Sequence, residues 1–450
     1  MIERDPLYFR IFCITFWVMA VGNFVFEEIL PFLRSYTLTL TLLSDIVILF
    51  LGLVTLRERS DKILISIFFV LAVISTYLNH VPFVLAVNGM RDYLAFLFCL
   101  PVVRYFFICK NSDRFRESID KQLKIFLILQ AFCIVEQFIR YGAGDNVGGS
   151  LGNMNSGIIS ISIIYISFYF VTKNWNSDNY FQNLWDNRLY IFLLFPVFLN
   201  ETKISLVLLM VYFVLLIPYN KYSIGKILIS LPLLIVVFAL MIGAYMLATG
   251  GDQDITSDGF INEYLTGGEN ADEIMDLAET AIDFVEEATD TWDESDWAYV
   301  DIPRIMKLPL LATALEDSQG GWLTGAGVGH FKGGNTLEKT QFADDHIGLL
   351  FGTRMMLIFI GLPLGILGII WLFFWYKNVL RFRFRFGDKP MKRKLFLLFL
   401  VIATLLYQDT FRYIIPCIIF YYISLSTVYP LHKEQNNGQS SRIDNNRPRL

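Results

Sequence analysis

The residues of this chain that could do chemistry fall in four short motifs. GSLGNMNSG (149–157) carries Asn155, whose amide is both donor and acceptor, among glycines that let a backbone or a sugar come close. Alone, it also reads as an ordinary turn. NETK (200–203) sets Glu201 and Lys203 between two apolar runs. Charges at membrane depth are costly, so this pair either neutralises itself or serves a site, where Lys203 suits a phosphate. PRIMK (303–307), followed by WLTGAGVGHF (322–331), brings Arg304 and Lys307 next to a glycine-rich run. That run lacks the strand and helix of a nucleotide loop and reads as a flexible re-entrant approach to the membrane. FADDHIGLLFGTR (342–354) holds Asp344, Asp345, His346 and Arg354 where an apolar run begins. The eight-residue spacing of His346 and Arg354 predicts one shared helix face, at a helix N-terminus that favours an anion. Arg91 and Arg412 sit at segment boundaries, as interfacial anchors or as ligands. Glu136 and Arg140, four apart, predict an ion pair.

Apolar segments must position these groups. The 450 residues are 55% hydrophobic and 18% charged, with 41 Phe and 22 Tyr, which excludes a disordered chain. About twelve blocks approach the ~20 residues needed to cross a bilayer. They are 8–26, 37–56, 63–79, 93–109, 124–140, 157–172, 189–201, 203–219, 227–247, 347–376, 395–408 and 413–430. The fold class expected is an all-α polytopic membrane protein. The first block reads as a retained span, since no small-residue cleavage site closes it. Five cysteines lie in or beside apolar segments at no metal-ligand spacing and read as free thiols. Basic residues cluster around 57–62, 110–124, 221–226 and 377–394, and one twelve-span register puts all of them, and both termini, on the cytoplasmic side.

The net charge of −5 divides unevenly. Residues 249–346 contain 22 acidic and 4 basic residues, a net of −18, leaving +13 on the rest. The organisation expected is therefore helices over 1–248, an acidic external loop or lid over 249–346, helices over 347–430 and a polar disordered tail over 431–450. Within the loop, 270–292 reads as an amphipathic helix. Asp252, Asp254, Thr256, Asp258 and Glu263 imitate a calcium loop, but Ser257 stands where the turn needs glycine, so an acidic turn is expected.

Taken together, twelve spans, one large late external loop, the Asn155 turn, the basic residue opening a later span, LTGAGVGHF and the histidine after the loop resemble the O-antigen polymerase and O-antigen ligase superfamily, over about residues 85–375. The match departs from the family in having Lys203 for a usual arginine and Ile347 for a usual asparagine after the histidine. The resemblance implies a metal-independent GT-C-like glycosyltransferase without cofactor. It would act at the outer (periplasmic) face of the bacterial cytoplasmic membrane on an undecaprenyl-pyrophosphate-linked glycan. The polymerase form is favoured, with a chain-length regulator and a flippase as further partners, the lipid bilayer as its setting and no nucleic acid. It implies His346, Asp345 and Arg304 as catalytic. Lys203, Arg304, Arg354, Asn155, Glu201 and Arg91 would hold the pyrophosphate and glycan. A ligase that transfers the glycan to lipid A core is the close alternative. A lipid-linked oligosaccharide flippase, or a binding or structural membrane protein, comes from other classes. The transporter form would show repeat symmetry and paired charges deep in several spans, and neither is visible in the sequence.

Overall fold

The computed structural model describes residues 4–142, 147–152, 155–175, 180–199, 203–217, 285, 307–332, 339–350, 355–381 and 391–429. Among them all regular structure is helical. The main helices are α1 (Arg4–Phe24), α2 (Thr37–Thr55), α3 (Arg59–Leu78), α4 (Phe83–Arg91), α5 (Leu94–Ile108), α6 (Ser112–Tyr141) and α7 (Ser156–Lys173). Three shorter ones follow, α8 (Tyr180–Asp186), α9 (Arg188–Phe192) and α10 (Lys203–Leu216). After the acidic segment come α11 (Lys307–Asp317), α12 (Gly321–Thr324), α13 (Gln341–Asp345), α14 (Met356–Leu380), α15 (Met391–Leu406) and α16 (Ile414–Val428).

Six described helices are long and apolar enough to cross a membrane, and a seventh span arises if α4 and α5, bent by 43°, count as one. Helices over Arg188–Leu199, Ile204–Leu216 and Ile414–Val428 are apolar but shorter. The expected twelve are therefore not all present as full-length spans among the described residues, and the block at 227–247 lies outside them. So do the amphipathic stretch 270–292, save Val285, and the acidic turn at 252–263.

The helices sort by what they touch. α5, α7 and α16 are buried almost throughout and form the inside of the bundle. In contrast α2, α3, α6 and α14 show large apolar side chains outward, among them Phe50, Val73, Phe132 and Phe373. Apolar residues both inside and outside mark a helical membrane protein, since lipid rather than water must cover the outer set. Lipid offers no hydrophobic drive between helices, so close packing holds the inside together. Phe168 of α7 stacks on Phe396 of α15 at 4.1 Å, and Trp371 on Trp375 at 5.3 Å. At one end of the bundle Arg104 of α5 pairs with Asp61 of α3, both fully buried, and Asn378 of α14 donates to the same carboxylate at 2.7 Å. The expected Glu136–Arg140 pair forms, and Arg140 also reaches Glu28 at 3.1 Å. All five cysteines are free thiols.

One boundary needs correction. The tenth expected block, 347–376, is not one helix. Ile347–Leu350 is a short 3-10 turn, Met355 is extended, and α14 begins only at Met356. Among the described residues here, Ile347, Leu349 and Met355 are buried in protein. Leu349 and Met355 pack with Leu311 and Leu315 of α11, which a hydropathy pattern cannot distinguish from a span.

Candidate functional site

The site is built around a break in α14. Pro363 lies inside that helix, and Gly365 takes φ 60°, ψ −154°, interrupting it. A broken helix frees backbone carbonyls, and at membrane depth these must find donors. The run Gly325–Gly329 supplies them. Ala326 N–H donates to the Leu362 carbonyl at 2.8 Å and Gly327 N–H to the Pro363 carbonyl at 3.1 Å. Side chains of α3 and its C-terminus complete the seam. Ser75 donates to the Pro363 carbonyl at 2.7 Å, Asn79 to the Gly325 carbonyl at 2.8 Å, and Thr76 accepts from Val328 N–H at 3.2 Å. Gly325 and Gly329 have positive φ, and a Cβ on either would fall within 2.4 Å of backbone atoms. The glycine run expected to be flexible is thus a fixed strap wedged between α3, α4 and α14.

Beside the strap lies a cleft of about 60 Å³, lined by Gly89, Asp92, Tyr93, Lys332 and Phe359 among others. An ionic cluster stands at its edge. Asp92, at the bend between α4 and α5, receives Lys332 at 2.5 Å and Arg412 at 3.3 Å. The neighbouring Arg91 pairs with Asp45 of α2 at 3.4 Å. Burial works against the Arg412 charge, but Asp92, Tyr413 and Asp409 more than offset it and hold the guanidinium pKa above its usual range. Lys332, a cation of the acidic segment, is thereby docked onto the helical bundle. Gln408, just before the Thr410–Arg412 turn, lies against α7, where a Cβ on Gly157 would fall 2.4 Å from its amide oxygen.

The same turn that carries Lys332 carries His330. The His330 ring is buried, with Nδ1 2.8 Å from the Thr340 hydroxyl, which also caps α13. Phe342 lies between two imidazoles, 4.7 Å from His330 and 4.6 Å from His346. His346 Nε2 faces Asp317 at 3.4 Å. Burial lowers the pKa of both histidines. The nearby His346 adds to this at His330, while Asp317 and Asp345 oppose it at His346. Both rings are therefore neutral near pH 7, and a neutral imidazole held against a carboxylate is a competent proton acceptor.

No known protein family and no curated protein matches this chain.

The structure describes some of the expected site residues and not others. Asp345 is exposed at the end of α13, next to His346. Arg91 is tied to Asp45 as stated, one residue from the cluster on Asp92. Asn155 precedes α7, and its amide donates to the Leu151 carbonyl at 2.9 Å, closing its own turn. The described residues 147–152 just before it are buried. Gln137 of α6 exchanges two hydrogen bonds with Gly149, at 2.7 and 3.0 Å, and Gln130 accepts from Ser150 N–H at 2.8 Å. Lys203 opens α10 as expected. Its side chain, Glu201, Arg304 and Arg354 lie outside the described residues. The shared helix face of His346 and Arg354 is corrected, because extended Met355 and the turn at Ile347–Leu350 interrupt any helix from 346 into α14. Residues that the motifs did not single out are Asp92, which gathers the cations, and His330. The signal for His330 was present as the penultimate residue of WLTGAGVGHF. Asp92 carried none beyond following Arg91.

Proposed function

We propose that the chain is a membrane glycosyltransferase that polymerises undecaprenyl-pyrophosphate-linked oligosaccharide repeat units into a surface polysaccharide at the outer face of the cytoplasmic membrane. One observation supports this most: Lys332 and Arg412 converge on Asp92 at the edge of a cleft, and the turn that bears Lys332 also contacts the aromatic stack leading to neutral His346. In such a reaction an acceptor hydroxyl attacks the anomeric carbon of the donor glycan. The bond to the pyrophosphate breaks, and the hydroxyl proton passes to a base. His346 is assigned that base, with Asp345 and Asp317 beside it to stabilise the imidazolium. Charge grows on the leaving pyrophosphate, and cations must meet it there. Lys203 and Arg304 are assigned that role, joined by Lys332 and Arg412, which Asp92 keeps oriented.

The test is polymer length in cells that express Arg304→Ala, Lys203→Ala, His346→Ala or Arg412→Ala at wild-type abundance. Loss of long chains in these variants is expected. Wild-type chain lengths in all four would overturn the proposal. A null strain separates the two forms of the family: single repeat units on the core mark a polymerase, whereas an accumulated lipid-linked pool with no surface glycan marks a ligase.

A further inference from the structure

The size and lining of the cleft beside the strap restrict what it can hold. Its volume is about 60 Å³. At about 10–15 Å³ for each water-sized group, that is room for roughly four to six atoms, a substituent rather than a whole sugar ring. Its walls are rigid. On one side the Leu362 and Pro363 carbonyls are bound to the strap at 2.8 and 3.1 Å. On another, Gly89 of α4 is so close to the strap that a Cβ on it would fall 2.6 Å from the Gly329 Cα. Backbone walls do not yield as side chains do, so the cleft selects by size.

The lining has two kinds of surface. Leu349, Ile358, Phe359 and Leu362 form an apolar floor, and none of them is more than 8% exposed. Asp92 and Lys332 form a polar edge, and because they pair with each other the two lining charges cancel. A carboxylate has about four lone-pair sites and an ammonium has about three N–H groups, so the pair has hydrogen-bonding capacity beyond its own contact. A phosphate or carboxylate would meet the Asp92 charge and an apolar floor. An ammonium would meet a carboxylate that already faces Lys332 and Arg412. A hydroxymethyl group would leave the floor uncovered. An acetamido group matches every part. Its methyl, carbonyl and nitrogen fill the volume, the methyl covers the floor, the N–H donates to Asp92 and the carbonyl accepts from Lys332.

We propose that the cleft binds the acetamido group of an N-acetylated sugar, carried on the ring carbon next to the anomeric one. Lys332 lines the cleft and also belongs to the cations assigned to the leaving pyrophosphate, so one side chain stands between the two neighbouring substituents. This names the substrate class of the glycosyltransferase proposed above and rests on that reading.

The full chain in nanodiscs is studied by saturation-transfer NMR, with irradiation of aromatic protein protons and detection of free monosaccharides at millimolar concentration. N-acetylglucosamine and N-acetylgalactosamine are expected to receive saturation chiefly at the acetamido methyl, and glucose and galactose to receive none. N-formylglucosamine lacks the methyl and N-butyrylglucosamine overfills the cleft, so each is expected to bind about tenfold or more weakly than the N-acetyl sugar. Leu349→Phe enlarges the floor into the cleft and is expected to abolish the methyl signal. Should that variant fail to fold, the acyl series decides alone. No saturation in the wild-type chain overturns the proposal. So does equal saturation of glucose and N-acetylglucosamine, an N-butyryl sugar that binds as well as the N-acetyl one, or a folded Leu349→Phe with the wild-type signal. Acetamido binding alongside normal polymer in the four variants named above overturns the transfer reading alone; lost polymer without acetamido preference overturns this inference alone.

Discussion

Gly321 and Gly325 make a controlled pair for testing the strap. Both have positive φ, +55° and +75°, but Gly325, with ψ −173°, lies in a region open essentially only to glycine, so alanine costs about 1–3 kcal/mol in backbone strain there. Their surroundings differ. A Cβ on Gly321 meets nothing within 4 Å, whereas one on Gly325 falls 2.4 Å from Gly365 N and 2.6 Å from the Leu362 carbonyl oxygen. Backbone cannot rotate away as a flexible side chain can, so overpacking adds about 1–3 kcal/mol at Gly325. If the strap yields instead, the Leu362 and Pro363 carbonyls lose their partners, at about 1–3 kcal/mol for each buried group left unsatisfied. Gly325→Ala is therefore expected to be less stable than Gly321→Ala by at least ~2 kcal/mol, and to melt several degrees lower. The assay is thermal unfolding of the two variants side by side in one detergent, followed by intrinsic Trp fluorescence. Equal melting temperatures would refute the reasoning, because the backbone contacts between strap and broken helix would then carry no energy.

Three further outcomes are expected. The pKa values of His330 and His346 are lowered in the fold, mainly by burial, so the unfolded chain binds more protons than the folded one once pH falls below the ordinary value of 6.5. Their contribution to stability is present above that pH and is lost as pH falls through their folded values; His346→Gln should flatten the fall in melting temperature between pH ~7 and ~5, and an unchanged slope would count against it. Arg104→Met strands Asp61, buried to 1% exposure, and should destabilise by about 3–5 kcal/mol, while adding Asp61→Leu should recover most of the loss, as read by thermal melts. Gln137→Leu leaves the Gly149 N–H and carbonyl without their partner in the bundle interior and should cost about 3 kcal/mol, measured the same way; a neutral result would show that the 149–157 turn is not seated on α6.

Some of this was legible in the residues. Apolar blocks near bilayer length located α1, α2, α3 and α7 to within a few residues, because an apolar surface facing lipid leaves a continuous signal, whereas α6 begins at Ser112, well before the block expected at 124–140. The i,i+4 spacing of Glu136 and Arg140 was enough to place their ion pair. The tenth block failed for a specific reason: Leu349 and Met355 are as apolar as a span, yet they cover α11. The glycines of GAGVG read as a flexible approach to the membrane rather than a fixed strap, since the partner that holds them, Leu362 to Gly365, is about forty residues away in sequence.

The sequence by itself determined that the protein is helical, that it lives in a membrane, and which histidines and cations lie near segment ends. Composition and period suffice for this, because they set what each segment can bury. Tertiary structure alone decided which charges meet. Asp92, Lys332 and Arg412 come from three distant parts of the chain, and Asp45 and Arg91 from two helices. No local pattern links them, because an ion pair needs proximity in space and any of the chain's 42 acids satisfies the charge of any of its 37 bases.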